Sequence, residues 1–246
     1  MPEAKKDIIH QLQKDILLWQ GFTPPSAAMA KGIGLGPIES AFPNGVFPTG
    51  AIHEMVCPTP EQAAATGGLV AGLLGVLMQQ GGACLWISTS RRLFPPSLVA
   101  FNVAPDRVIF IDVQREKDVL WAMEEALKCE GLAAVIAEVR DISFAQSRRL
   151  QLAVESSRVT GFLLRNDPRK AGATTCVARW QVTPLPSNLD DELPGVGHPR
   201  WQVDLLRVRN GNPGSWKLEW TDSGFMPIEE KEKEQQISLG ERRKAG

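Results

Sequence analysis

The strongest constraint on the fold is an alternation of apolar strand-like runs with helical segments through the middle of the chain. Because these runs are apolar throughout, both faces of each strand are expected to be covered. The pattern therefore predicts an α/β domain with a mostly parallel sheet. The predicted strands are 51–57, 83–89, 107–112, 132–139 and 161–165, and the predicted helices are 69–79, a short one around Val99, 117–129 and 144–157.

The pattern changes after the last of these strands. Strand-like runs at 174–183, 201–210 and 215–221 follow one another with no helical segment between them. The residues Asn210-Gly211-Asn212-Pro213-Gly214 are typical of a hairpin turn between the second and the third. The sequence therefore predicts antiparallel edge strands after the parallel part of the sheet.

The junction between the first strand and the first helix limits the chemistry that is open to such a fold. The stretch Pro58–Gly68 is predicted to be a loop, at the place where a phosphate-binding loop lies between a strand and a helix. Such a loop needs glycines, a lysine that reaches the phosphates, and a Ser or Thr that binds magnesium. The 246 residues contain no Gly-Lys dipeptide. We therefore expect a degenerate phosphate loop and a protein that acts through its surfaces.

Composition narrows the function further. With 43% hydrophobic and 22% charged residues the chain is an ordinary globular protein, and its net charge of −1 gives no general attraction to nucleic acid or membranes. The cysteines and histidines show no metal-ligand spacing, so buried reduced thiols are expected and no metal or cofactor is predicted. No apolar stretch has the length of a signal or membrane-spanning segment, and a cytoplasmic location is expected.

Four segments are predicted along the chain. Residues 1–21 form an amphipathic helix whose apolar positions include Ile9, Leu12 and Ile16. Residues 22–50 form a linker rich in Gly and Pro, residues 51–222 the core domain, and residues 223–246 a flexible tail rich in Glu, Lys and Gln. The amphipathic helix either packs back on its own domain or is offered to a neighbouring subunit.

Four short stretches, in their order and spacing, resemble the ImuA family of bacterial accessory factors in mutagenic translesion synthesis. They are 43–54, 120–129, 147–152 together with 160–165, and 213–216. The resemblance covers roughly residues 31–221, and it extends more distantly to RecA and SulA. It implies a RecA-like, P-loop NTPase-like domain. Without gaps, the lysine and threonine of the RecA phosphate loop fall on Ala63 and Ala64, the catalytic glutamate falls near Ser90, and the acidic residue that supports magnesium falls on Glu138.

The resemblance therefore implies a non-enzymatic protein, because phosphoryl transfer depends on the missing lysine and base. A helix N-terminus would still offer backbone N–H groups for weak nucleotide binding. The implied partners are an ImuB-like polymerase homologue, RecA, and a complex with an error-prone replicative-type polymerase. Arg207 and Arg209 match two basic residues that RecA presents to the nucleotide of a neighbouring subunit. The N-terminal helix would then correspond to the helix that joins RecA subunits. The alternative is that both arginines only contribute to solubility.

Further alternatives stay open at this stage. Gln236 and Leu239 are similar to the short peptides that bind the bacterial sliding clamp. A group of basic residues is either a phosphate-binding patch for DNA or a solvated sheet edge; it comprises Arg140, Arg148, Arg149, Arg165, Arg169, Lys170 and Arg179. The alternative functions are a SulA-like division inhibitor that binds FtsZ and, more remotely, a nucleotide-binding relative of the recombinases.

Overall fold

A single nine-stranded sheet organises the molecule, in the order β3-β2-β4-β5-β1-β6-β7-β8-β9. The computed structural model describes Leu12 and residues 32–169, 172–187 and 197–228. The strands are β1 Ile52–Cys57, β2 Ala83–Ser88, β3 Val108–Asp112, β4 Leu132–Val139, β5 Thr160–Asn166, β6 Ala178–Leu185, β7 Arg200–Val208, β8 Gly214–Thr221 and β9 Gly224–Pro227. Pairing is parallel from β3 to β6 and antiparallel from β6 to β9. The predicted α/β sheet with antiparallel edge strands is confirmed.

Among the described residues from 32 onward, three α-helices cover the sheet on its two faces. They are α1 Pro60–Leu77, α2 Glu116–Ala126 and α3 Phe144–Ser157. Helix α1 packs on one face, in the apolar layer that contains Met55 and Cys57 of β1. Helices α2 and α3 pack on the other, in the layer that contains Ile52. Alternate residues of β1 therefore face different layers, as the two-residue period of a strand requires.

Helix α1 begins nine residues before the helix predicted at Leu69, and it replaces most of the predicted loop. Thr59 caps the helix by accepting a hydrogen bond from the Gln62 N–H, and Pro60 occupies the first helical turn. Gly67 and Gly68 lower the helix propensity of this stretch, but burial of the helix against the sheet outweighs them. Only Pro58 and Thr59 remain between β1 and α1.

The described part of the predicted linker belongs to the core. It contains two short 3-10 helices, at Gly36–Ala41 and Pro43–Gly45, and it buries Ile33, Leu35, Ile38, Ala41, Phe42 and Phe47. The Glu39 carboxylate holds its start in place, because Oε1 accepts the N–H groups of Ile33 and Leu35 at 3.0 Å. Pro, Gly and Ala in this segment permit its tight turns without preventing burial of the apolar residues between them.

The segment predicted as a tail begins with strand β9. Phe225 lies in the core, with its ring centroid 4.8 Å from that of Trp220. Four residues are too short a run to show a strand period in the sequence, so the β8–β9 hairpin was not predicted. In the parts of the chain that the structure describes, no helix has both the length and the apolar character to cross a bilayer.

Candidate functional site

The connection between β1 and α1 has no phosphate-binding loop. A cradle for phosphates needs a run of free backbone N–H groups, whereas this connection has two residues, one of them a proline. The cap bond to Thr59 already uses one N–H group of the helix N-terminus. Glu61 adds a negative charge in the first turn, and a hydrogen bond with Thr59 lowers the pKa of its carboxyl. This end of the helix is therefore poorly suited to bind an anion.

A cavity of about 460 Å³ lies beside the first turns of α1, where the parallel strands β2, β4 and β5 end. One wall is formed by residues of α1 with little or no side chain, namely Ala63, Ala64, Gly67, Gly68 and Ala71. The facing surface is mostly apolar and aromatic, and it includes Trp86, Leu93, Phe94, Leu98, Phe101, Leu164, Pro199 and Trp201. The carboxyl ends of parallel strands are the usual place for a ligand in an open α/β sheet.

Three of the four residues predicted for the degenerate nucleotide site line this cavity, namely Ala63, Ala64 and Glu138. Ser90 does not line it and lies exposed in the segment after β2. The cavity therefore lies where the sequence predicted the degenerate nucleotide site. Of the described residues that line it, none is a lysine, and the one cation is the exposed Arg92.

Glu138 is held by two donors at the edge of the cavity. The Trp86 Nε1–H donates to Glu138 Oε1 at 2.7 Å, and the Asn166 Nδ2–H donates to Oε2 at 3.1 Å. Burial raises the pKa of the Glu138 carboxyl, and these bonds together with the charge of Arg92 reduce the increase. Because Nδ2 faces the carboxylate, Asn166 turns Oδ1 away from it, and this buried oxygen has no partner within the described residues.

A buried ionic network lies on the opposite face of β1. Arg165 Nη1 donates to Glu54 Oε1 at 2.8 Å, and both side chains are almost fully buried, with 1% and 0% exposure. Thr174 and Arg179 donate to Glu54 Oε2 at 2.6 and 2.9 Å. Burial alone would raise the pKa of Glu54, but the hydrogen bonds from Thr174, Arg165 and Arg179 outweigh it and lower the pKa. Asp141 accepts a further bond from Arg165 at 3.0 Å.

This network and several surface ion pairs account for most of the basic group, which the sequence left open as a phosphate-binding patch or a solvated sheet edge. Arg165 and Arg179 hold Glu54, whereas Arg140, Arg148 and Arg149 form exposed ion pairs with Asp167, Glu155 and Glu124. A polar cavity of about 440 Å³ near Arg140 and Arg169 also contains the carboxylates of Asp141 and Glu116. The arginines are thus matched by acidic groups, and Lys170 lies outside the described residues. The sequence signal for this pairing was Glu54 itself, a charge in an otherwise apolar buried strand.

Arg207 and Arg209 contact their own chain. The Arg207 Nη2 group donates to the carbonyl oxygens of Thr174 and Cys176 at 2.9 and 3.1 Å, and Arg209 Nη2 donates to that of Thr175 at 2.9 Å. Both side chains therefore hold the same segment before β6. Arg207 is half-buried and Arg209 is exposed, which makes Arg209 the more accessible of the two.

Several other predicted residues can be placed. Leu12 is helical and 54% exposed, whereas Ile9, Ile16, Gln236 and Leu239 lie outside the described residues. His53 is a packed core residue, and Cys57, Cys84 and Cys176 are buried thiols, as predicted for the cysteines. Cys129 is exposed, contrary to prediction. Within the described ranges, no group of His, Cys, Asp and Glu side chains has a metal-binding arrangement.

Sequence reasoning located the helical side of the cavity but missed its aromatic side and Asn166. Those residues come from β2, β5, β7 and the 3-10 helix Pro95–Phe101, which are distant from one another in the sequence. In the sequence, each of these tryptophans and phenylalanines has the pattern of an ordinary core residue. Only the order of the strands brings them together around one cavity.

Comparison with known proteins gives the relationship of the chain. No protein-family model matches it. Protein ImuA of Caulobacter vibrioides strain NA1000 / CB15N is 33% identical over 202 residues, which cover 77% of this chain and 83% of that relative. Protein ImuA of Caulobacter vibrioides strain ATCC 19089 / CIP 103742 / CB 15 gives the same identity and coverage. Similarity at this level over most of both chains indicates common ancestry. The chain therefore belongs to the ImuA family.

Proposed function

We propose that this protein is a non-enzymatic accessory factor of mutagenic translesion DNA synthesis, and that it acts by binding other proteins. The observation that carries the proposal is the two-residue connection between β1 and α1, followed by Ala63 and Ala64, in a chain of the ImuA family. A phosphoryl-transfer enzyme needs a lysine and a bound metal at this point. The alanines supply neither a charge nor a ligand.

The fold we infer is a degenerate RecA-like, P-loop NTPase-like domain. The support is the arrangement of a buried central strand that runs directly into a helix, with the cavity at the carboxyl ends of the parallel strands. In this domain the place of the nucleotide is occupied by an apolar cavity. The domain then serves as a rigid body that presents surfaces to partners, and it requires no cofactor.

The partners that we propose are an ImuB-like polymerase homologue and RecA, within a complex that also contains an error-prone replicative-type polymerase. Toward RecA, Arg209 is the residue placed to act on a neighbour's nucleotide, because it is exposed and donates one described hydrogen bond. Arg207 has three acceptors in its own chain and contributes mainly by holding the segment next to Arg209.

Titration calorimetry of the purified protein against the ImuB-like protein and against RecA, with and without an ATP analogue on RecA, tests this function. We expect saturable binding to the ImuB-like protein, and binding to RecA that depends on the analogue. The protein alone should release no phosphate from ATP. Failure to bind either partner, together with binding to FtsZ, would replace the proposal by a division inhibitor.

Two single variants locate the RecA contact. Arg209→Ala should weaken binding to the ATP form of RecA, whereas Arg148→Ala should leave it unchanged; Arg148 is an exposed arginine of α3 and serves as the matched control. Arg209→Lys should restore part of the affinity, because it keeps the charge but not the planar group. Equal affinities for wild type and Arg209→Ala would exclude this residue from the contact.

A further inference from the structure

We propose that strand β3 is a dimer interface, at which a second copy of this chain pairs antiparallel with the same strand. β3 forms one end of the sheet, and within the described residues it pairs with β2 alone. An edge strand presents a row of backbone N–H and C=O groups outside the ladder, which makes it a template for a further strand. The inference goes beyond the proposed function and does not depend on it.

The ladder between β2 and β3 shows which backbone groups face outward. Val113, directly after β3, donates its N–H to the Ser88 carbonyl oxygen at 2.9 Å, so the backbone of this residue faces β2. In a parallel ladder every second residue faces the same neighbouring strand. The intervening residues of β3 therefore turn their N–H and C=O groups away from β2, and they are Val108, Phe110 and Asp112.

The two edges of the sheet differ in their protection against further pairing. β9, at the other end, has four residues and ends at Pro227, which packs near Gly36. Short length and proline both hinder the addition of a strand. β3 contains neither proline nor lysine, and its register with β2 has no bulge. Its one charged side chain, Asp112, is paired with Arg91 of its own chain. β3 is therefore the edge that is open to pairing.

The sequence of β3 is self-complementary about Phe110, and this favours a second copy as the occupant. A twofold axis at Phe110 places this residue opposite itself and Val108 opposite Asp112, so that all outward-facing residues meet one another. Each of these pairs exchanges both of its backbone hydrogen bonds. Between them, Ile109 lies opposite Ile111 of the second copy. No like charges are directly opposed in this register, and such opposition would be unfavourable.

The pairing buries apolar side chains on both faces of the sheet. Ile109 is 50% exposed, although it shares a face with Ile111, which packs against the apolar layer of α2 and α3. Opposite residues of an antiparallel pair have Cβ atoms about 5 Å apart, so Ile109 would contact Ile111 of the second copy. On the other face the two Phe110 rings would lie side by side. The Arg91 guanidinium, 5.2 Å from the Phe110 ring centroid, brings no unpaired charge because Asp112 binds it.

Sedimentation equilibrium of the full chain tests the interface. We expect the mass to rise from 26.9 kDa toward twice that value as the concentration increases. Ile109→Lys should raise the dissociation constant about tenfold or more, because both symmetric contacts between Ile109 and Ile111 are lost. Leu206→Lys is the matched control and should leave the constant unchanged, since Leu206 is 47% exposed on a strand away from this edge.

A cysteine on the twofold axis tests the register. The Cα atoms of a hydrogen-bonded antiparallel pair are about 5.5 Å apart, a distance that a disulfide spans. Cys129→Ser provides the background, because it removes an exposed thiol. In that background Phe110→Cys should form a covalent dimer with copper phenanthroline as oxidant, whereas Leu206→Cys should stay monomeric. Circular dichroism checks that each variant is folded.

A wild-type chain that stays monomeric at all concentrations would overturn the proposal. So would a dimer that persists in folded Ile109→Lys, or one in which Phe110→Cys does not cross-link, since another surface would then join the copies. If Ile109→Lys does not fold, the cross-linking result decides. A dimer that binds neither the ImuB-like protein nor RecA would leave this inference intact and refute the proposed function, and a strictly monomeric chain that binds them would do the reverse.

Discussion

The two faces of strand β1 differ in the polar groups that they bury. Toward α2 and α3, the strand buries Glu54 with Arg165 and surrounds the pair with further donors. Toward α1, it contributes apolar packing and the neutral ring of His53, and among the described residues the adjoining cavity is lined by one cation, the exposed Arg92. Buried charge thus joins the three strands β1, β5 and β6 on one face, whereas the described lining of the cavity on the other face has no buried cation.

This difference is informative because a buried charge is costly unless it is paired. Asp141, Thr174 and Arg179 bind the Glu54–Arg165 pair, so its cost is offset by several hydrogen bonds. Among the described lining residues, a lysine beside the cavity would find only the Glu138 carboxylate as a partner, and this carboxylate already accepts two hydrogen bonds. Under the proposed function no nucleotide binds there, and alanine avoids the cost of burying that charge.

The largest effect should follow removal of one member of the buried pair. Arg165→Leu removes the fully buried partner of Glu54 and leaves Oε1 of this buried carboxylate without its donor, so we expect a loss of about 3–5 kcal/mol of the free energy of unfolding. Urea titration monitored by circular dichroism measures it. Arg149→Ala breaks an exposed pair with Glu124 and should cost about 0–1 kcal/mol. Equal losses in the two variants would mean that the buried network is not specially stabilising.

Acid should destabilise the α1 face through His53. Its Nε2–H donates to the Pro48 carbonyl oxygen at 2.8 Å, and Nδ1 accepts the Trp180 N–H at 3.3 Å, so the packed ring is neutral. Burial lowers the pKa of His53 from 6.5 to about 4. The unfolded chain therefore takes up a proton at a higher pH than the native chain, and about 3 kcal/mol of stability should be lost between pH 6.5 and pH 4.

Urea titrations at intervals across this pH range check the prediction. His53→Phe should flatten the slope of unfolding free energy against pH above 5, while the exposed His198→Phe should keep it. Glu54 acts at lower pH, because its pKa is lowered from 4.5 and its contribution is lost only as the pH falls below that value. An unchanged slope in His53→Phe would mean that other groups cause the loss of stability at acid pH.

The contrast between the two faces also explains which features the sequence could predict. Strand β4 and helix α3 have the bounds predicted for them, because their apolar patterns are regular and Ser143 and Gln146 form a capping box. The start of α1 was misplaced because local propensity, weakened by Gly67 and Gly68, competes with burial. Glu54 alone indicates that a buried charge needs a partner, but its pairing with Arg165 and the cavity depend on contacts between residues far apart in the chain, and the choice of partner leaves no local pattern.

Two glycines of α1 allow the packing on either side of this helix to be compared directly. A Cβ added at Gly72 would lie 2.6 Å from Phe225 Cζ and 2.9 Å from Trp220 Cζ3, and these two rings are packed against each other. Gly72→Ala should therefore lower the unfolding free energy by about 1–3 kcal/mol through overpacking. In the Phe225→Leu background, which lacks the ring, Gly72→Ala should lower the unfolding free energy by less than it does in the wild type. An equal loss in both backgrounds would mean that the cost does not arise at the contact with Phe225.

Gly67→Ala should have the smallest effect, and with the opposite sign. The added methyl group would enter the space of the cavity, where no atom outside the helix lies within 4 Å. Replacing a helical glycine by alanine then stabilises the helix by up to about 1 kcal/mol, since the unfolded chain loses freedom and no packing is disturbed. Urea titration of Gly67→Ala beside Gly72→Ala measures both signs on one helix. A loss at both positions would mean that α1 is packed as tightly on the cavity side as against β8 and β9, and that the cavity is closed in solution.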